Sequence, residues 1–281
     1  MLVPEEFTHL YHTSCYSLLS EDQRLKYNQL YGLRINEQFI QFEEVFIKGL
    51  MPRLKRHSTL KDNPRMLADI ESVLRDEEQH SLMFAGFNQE TRPDLYDQSR
   101  NPFTRLSTVE HSLLRILLAT PGLLSGLLWL MLAMEELTTA ISSELISHPR
   151  SGELNQAFIA LHQRHLHDEQ RHVGIDMKMI LNLQEHIPAA VNKINAVLFR
   201  NGFRNILRPR RSTIHVIRQL VQEEPGLNHL AQNMIDEIRA LDPHIAFPAN
   251  LIKLDKLPVL HGLFNRYPDY RLTTSNIPAI N

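Results

Sequence analysis

Cysteine is nearly missing: Cys15 stands alone in a chain of 281 residues. A lone thiol closes no intrachain disulfide and gives a metal no second thiolate, so any metal site must use nitrogen and oxygen ligands. A surplus of one charge is missing too. The 30 basic and 32 acidic residues leave a net charge of −2, which provides no general attraction to nucleic acid or to an anionic membrane. Strand signals are sparse: alternating β-branched runs are few, and the ten glycines are scattered instead of marking regular turns. The chain reads as all-α. The N-terminus, with Glu5 and Glu6, lacks the basic-then-apolar run of a signal peptide, so a cytoplasmic location is expected.

One stretch resembles a membrane span, since Ile116 to Met134 carries no charged residue. Pro121-Gly122 interrupts it near its start, and the apolar pattern then continues through Glu135 and Glu136 without a stop. A helix that is apolar on all sides is also what the centre of a large helical protein requires, and that is the expectation here.

Helical periodicity accounts for most of the chain. A first helix is expected from Glu21 to about Leu54, with Leu33, Ile40, Ile47, Leu50 and Leu54 on its apolar face. Asn63-Pro64 opens a second, running to about Phe87, with Asn63 as N-cap and Pro64 in the first turn. Asp94 to Pro102 reads as a connection, Thr104 to Ala119 as a helix, and Leu123 to Ser147 as the long apolar helix that Pro149 brings to an end. Ser151-Gly152-Glu153 begins a helix to about Leu183. Beyond Pro188, helices are expected over Ala189–Phe199, Ser212–Glu224 and Leu227–Leu241, followed by an irregular tail after Pro243 that wraps the surface. Arg208, Arg210 and Arg211 read as a solvated loop. The whole, 1–281, is expected to form one domain, with a metal-binding bundle over about 20–185 and the remaining helices and tail over 186–281.

The chemistry concentrates in His165-Leu166-His167-Asp168-Glu169-Gln170-Arg171-His172, where His165, Glu169 and His172 fall at i, i+4 and i+7, one face of a helix. Asp76-Glu77-Glu78-Gln79-His80 repeats the unit Asp-Glu-x-x-His upstream. Two such units suit a two-metal site between facing helices, completed by one carboxylate from each of two more helices. Projection at about 100° per residue puts Glu77 and His80 with Ile70, Val73 and Phe84, and Glu78 on the polar side. In the first helix it favours Glu43 over Glu44, and in the apolar helix Glu135 over Glu136; the second member of each pair stays in reserve. Buried carboxylates are costly unless paired, protonated or bound to a cation, and two divalent ions would balance four ionised glutamates. The shell of four Glu and three His suits iron or manganese. Asp76 and Asp168 are placed to orient ligand imidazoles. His162 reads as a core histidine or a partner of the ligands. Thr139, one turn after Glu135, either lines a pocket beside the metals or packs against a neighbouring helix.

At these residues the sequence resembles the ferritin-like di-iron carboxylate proteins, and more narrowly the p-aminobenzoate N-oxygenase family, whose pattern is Glu, Glu-x-x-His, Glu, then His-x-x-x-Glu-x-x-His. His165 occupies the place of that family's additional histidine. The resemblance covers about residues 20 to 185. It implies a ferritin-like helical bundle with additional helices, holding two iron ions, with a di-manganese or mixed pair as the alternative metals. The activity it implies is an O₂-dependent oxygenase, oxidising an amine through a peroxo-di-iron intermediate in an apolar space beside Glu135, with an external electron donor. The partners would be a small-molecule amine and a reductant, without nucleic acid, and a homodimer is left open. The rival readings are a di-iron C–H hydroxylase or desaturase, an iron-storage protein, and a metal-free helical interaction module.

Overall fold

Local start signals set the helices that carry the site. Ser20 closes a capping box with Gln23: the Gln23 N–H donates to Ser20 Oγ at 3.3 Å and the Ser20 N–H donates to Gln23 Oε1 at 3.0 Å. Helix α1 (Glu21–Gln41) follows. Asn63 caps α3 (Pro64–Thr91), accepting from the Met66 N–H at 3.2 Å with Pro64 in the first turn. Ser107 and Glu110 form a second capping box at α5 (Thr108–Ala119). Asn155 caps α7 (Gln156–Gln184), its Oδ1 3.0 Å from the Phe158 nitrogen.

The computed structural model describes residues 1–207, 210–241 and 256–272. Besides those helices it contains α2 (Lys48–Leu54), α4 (Pro93–Tyr96), α6 (Leu124–Ser147), α8 (Ala189–Ile206), α9 (Arg210–Glu223), α10 (Ala231–Ala240) and α11 (Pro258–Arg266). No strand occurs among the described residues. The fold is an all-α helical bundle. Helix α6 is its axis, packed along its length on α7, with α8 on another side, while α1 packs on α3 and α9.

Several boundaries differ from the periodic reading. The first helix does run from Glu21 to Leu54, but Phe42–Ile47 winds as a π-helix between α1 and α2. Pro52 lies inside α2; its missing N–H costs one hydrogen bond without ending the helix. The helix expected at Thr104 starts at Thr108, where the Ser107 cap is. The one expected at Ser151 starts at Gln156, because Ser151–Glu153 forms a separate 3-10 turn and Asn155 supplies the cap. Helix α8 continues past Phe199 to Ile206. Arg210 and Arg211 belong to the start of α9 instead of a loop, and Arg211 pairs with Glu110 at 2.8 Å; Arg208 lies outside the described residues. Part of the expected wrapping tail is helical, as α11 and the turn Pro268–Tyr270, and the rest of it lies outside the described residues.

The apolar helix is the core of the protein. Of the stretch long and apolar enough to cross a membrane, Pro121–Ser147, the most apolar window is 89% buried inside the fold. Its close approach to α8 depends on Gly126, since a Cβ there would stand 2.9 Å from the Asn195 carbonyl oxygen. Asn195 in turn accepts from the Gly126 N–H at 3.0 Å and donates to the Gly122 carbonyl at 2.8 Å, which ties α8 to the start of α6.

Candidate metal centre

Four segments present their acidic and imidazole side chains to one another inside the bundle. The π-helical stretch supplies Glu43, α3 supplies Glu77 and His80, α6 supplies Glu135, and α7 supplies His165, Glu169 and His172. All seven are at most 2% exposed. Their ligand atoms fall into two groups, Glu43 with His80 and His165, and Glu77 with Glu135, Glu169 and His172, with the atoms inside each group within 4.8 Å of one another. Glu169 stands between the groups: its Oε1 is 3.5 Å from His80 Nδ1, 3.2 Å from His165 Nε2 and 3.4 Å from His172 Nδ1. Glu77 spans them as well, 2.8 Å from His172 Nδ1 and 3.8 Å from His80 Nδ1. His165 Nε2 lies 3.4 Å from Glu43 Oε1.

The π turn is the local device at Glu43. Widening one turn of an α-helix re-aims the side chains within it, and such stretches recur at functional sites. Here Glu43 faces the group, and its Oε2 accepts from Ser81 Oγ at 2.8 Å. The neighbouring Glu44 points outward and pairs with Arg100 at 2.5 Å. The other adjacent pair divides similarly. Glu135 faces the cluster, whereas Glu136 accepts from the Val259 and Leu260 N–H groups at 2.8 and 2.7 Å, at the start of α11. Burial pushes the Glu136 carboxyl up to about 7, against those two hydrogen bonds. Glu136→Ala would leave two donors at a helix start unpaired. Such groups cost roughly 1–3 kcal/mol each when buried, so urea denaturation is expected to show a loss of about 2 kcal/mol or more, with metal uptake unchanged.

Two of the imidazoles, one on each facing helix, are fixed from across the gap. His80 Nε2 on α3 is 3.1 Å from Asp168 Oδ2 on α7, and His172 Nε2 on α7 is 3.3 Å from Asp76 Oδ2 on α3. Asp76 also takes Arg171. With Nε2 engaged, Nδ1 of both rings points at the carboxylates. His162 is buried among Phe39, Phe84 and Phe158, with Nδ1 3.1 Å from Ser142 Oγ. Burial pushes it down to about 3, so it is a neutral core histidine. Thr139 is half-buried and returns its hydroxyl to the Glu135 carbonyl at 2.8 Å; its neighbour Thr138 approaches Glu169 Oε2 at 3.5 Å.

One residue absent from the sequence reading belongs beside this cluster. Asp176 is fully buried on α7, and neither of its carboxyl oxygens has a hydrogen-bond partner. Burial, then the Glu135 and Glu77 charges, hold its carboxyl well above the usual range. The signal was available: Asp176 is four residues past His172 and seven past Glu169, on the same helix face.

The donors fit a pair of divalent cations. Glu43 Oε1, both Glu77 oxygens, Glu135 Oε1, Glu169 Oε1 and Nδ1 of His80 and His172 are buried without an aligned hydrogen-bond partner. So many unsatisfied acceptors are very costly unless a cation serves them together. The titration behaviour agrees. Burial and neighbouring carboxylates raise Glu43, Glu135 and Glu169 well above the usual range. Burial opposes charge on Glu77 too, yet the imidazoles of His172 and His80 hold it low. Burial likewise opposes charge on His172, but Glu77 and Glu135 carry it up to about 9. His165, desolvated and facing other imidazoles, is held well below its ordinary value and is a neutral donor.

A cavity of about 360 Å³ has Phe42, Val45, Leu130 and Met134 in its wall, residues of the segments that carry Glu43 and Glu135, although neither glutamate lines it. No curated protein matches the chain. The family model described as P-aminobenzoate N-oxygenase AurF matches residues 1–241, a longer stretch than the 20–185 over which the motif residues are spread. By a match of that length, the chain belongs to the p-aminobenzoate N-oxygenase AurF family, a ferritin-like di-iron oxygenase family.

Proposed function

We propose that the protein is an O₂-dependent di-iron N-oxygenase acting on a small-molecule amine, with electrons from an external reductant. The observation that carries this reading is the pair of buried donor groups with Glu77 and Glu169 between them, three imidazoles in all, within the family match. In this reading Glu43, His80 and His165 would hold one iron and Glu77, Glu135, Glu169 and His172 the other, with Glu77 and Glu169 also near the first group. Bound iron would supply the redox chemistry the side chains lack, the reduction of O₂ for oxygen transfer to the amine.

The chain supplies geometry, dryness and proton control. Asp168 and Asp76 keep the Nε2 proton on His80 and His172, which leaves Nδ1 free to ligate. Ser81 holds one oxygen of Glu43 and directs the other inward. Phe39, Phe84 and Phe158, packed around His162 and His165, exclude water from the His165 side. Asp176, favouring its protonated form, holds a proton at a carboxyl oxygen on the Glu135 side. The burial of α6 within the bundle fits its role as a core helix of a soluble protein, and a cytoplasmic location belongs to the same proposal.

The direct test is aerobic reaction of the reduced, iron-loaded protein with aryl and alkyl amines, read by mass spectrometry. Oxygen gain at nitrogen, with two irons per chain, is the expected result. Oxygen gain at carbon would establish the hydroxylase class instead, and many irons per chain with mineral formation would establish storage. His165→Ala is expected to fold and to bind one iron normally, with affinity for the other falling by at least about two orders of magnitude, more than loss of a merely orienting partner costs. Iron titration with Mössbauer spectra separates the two sites, and two unaltered sites would remove His165 from the ligand set.

A further inference from the structure

Resting on that reading, the cavity bears on what the amine looks like. Its wall includes residues from the segments of two candidate ligands: Phe42, next to Glu43, with Val45 two positions on, and Met134, next to Glu135, with Leu130 about one helical turn before Met134. Leu114 on α5 and Ile206 on α8 line it farther out. At about 360 Å³ it offers more than twice the roughly 150 Å³ that accepts a benzene, and it falls in the range of small-molecule sites. Its polar partners near Glu43 are the neutral amides of Gln38 and Gln41. The charged side chains that line it, Arg105, Glu110 and Arg211, are all exposed. Arg211 is paired with Glu110, and Arg105 Nε donates to Ser99 Oγ at 3.1 Å.

We infer that this cavity receives the body of the substrate, and that the substrate is a bulky apolar amine, larger than one ring and without an anionic group on that body. A carboxylate carried into the cavity would lose water and find no buried cation in its lining, which is unfavourable. An extended alkyl or polycyclic body instead covers wall that a single ring would leave bare. In this inference the amine nitrogen points to the Gln41 and Phe42 end, the part of the lining that adjoins Glu43 in sequence.

The test uses the metal-free full chain and a series of 4-alkylanilines from methyl to hexyl, with 4-aminobenzoate as the compact anionic comparison, measured by calorimetry. Affinity is expected to rise about fourfold for each added methylene until the cavity is full. 4-Aminobenzoate is expected to bind at least tenfold more weakly than 4-butylaniline. Leu114→Trp and, independently, Ile206→Trp should bring the plateau to shorter chains and weaken 4-hexylaniline at least tenfold, with 4-methylaniline and iron uptake little changed. A flat series, tighter binding of 4-aminobenzoate than of 4-butylaniline, or normal 4-hexylaniline binding by both filled variants would overturn the inference. Alkylaniline binding without oxygen gain by the iron-loaded protein would sink the N-oxygenase reading and leave the cavity assignment standing. Oxygen gain on compact amines with a flat series would do the reverse.

Discussion

Glu169→Gln is expected to empty the metal centre while making the metal-free protein more stable. Three imidazole nitrogens approach a single Glu169 oxygen, at 3.2 to 3.5 Å, so neither donor group keeps its geometry without that carboxylate. Removing a group that merely orients a ligand costs about 10–100-fold in metal affinity. Losing a carboxylate between both ions is expected to cost at least two orders of magnitude, with iron content falling well below two per chain. The stability effect has the opposite sign. Without metal, Glu169 is a desolvated acid facing the Glu77 charge, so its carboxyl is raised well above the usual range. A neutral amide of the same shape relieves that repulsion, and the metal-free variant is expected to be more stable than metal-free wild type by about 1–2 kcal/mol. Thermal melts with and without iron measure both effects. A variant that binds two irons as tightly as wild type would end the assignment of Glu169 to the centre.

Metal removal is expected to cost more stability as pH rises. Glu43, Glu135, Glu169 and Asp176 all have folded-state values raised well above those of the unfolded chain. A raised acid stabilises the fold fully below its unfolded value and loses that contribution as pH rises through its folded value. His172, raised to about 9 from 6.5, has the same sign between those two values. His162, pushed down to about 3, and the lowered His165 act oppositely, but their contribution is lost only as pH falls below 6.5. Metal-free protein should therefore lose stability from pH 6.5 toward 9. Ligation requires the deprotonated carboxylates and so strengthens over the same range. With each of two ions present at a thousandfold excess over its Kd, loading is worth about 8 kcal/mol, or on the order of 20 °C in Tm. That gap is expected to widen from pH 6.5 to 8.5, and loading at neutral pH to release protons, measurable in buffers of different ionisation enthalpy. A gap independent of pH, with no proton release, would contradict the buried acids described above.

The parts of this arrangement that were legible in the sequence follow from the helical period. His165, Glu169 and His172, and likewise Glu77 and His80, share a face wherever their helices go, and the same projection separates Glu43 from Glu44 and Glu135 from Glu136. The illegible parts depend on something other than a uniform 100° step or on distant chain. The π turn at Phe42–Ile47 is a local change of winding that no constant projection contains. Glu136 reads as a side-facing acid because the N–H groups it accepts, at Val259 and Leu260, lie more than a hundred residues downstream. The helix beginning at Pro258 was hidden in a segment whose proline content reads as irregular. Thr138 and Thr139 differ by a single step, too fine for projection to decide which meets Glu169. Asp176 is a different case: at i+4 from His172 and i+7 from Glu169 it shares their helix face, one turn beyond the motif.

The exchange of carboxylates between α3 and α7 has a consequence for assembly. Each helix contributes the aspartate that fixes an imidazole on the other, at 3.1 and 3.3 Å. Sliding one helix along the other by a turn, about 5.4 Å, would break both contacts at once. Two independent checks on a single register mean that the polypeptide can find the correct alignment of these helices before any cation arrives. The incoming metal is then captured by a template already cut to shape, instead of having to organise one.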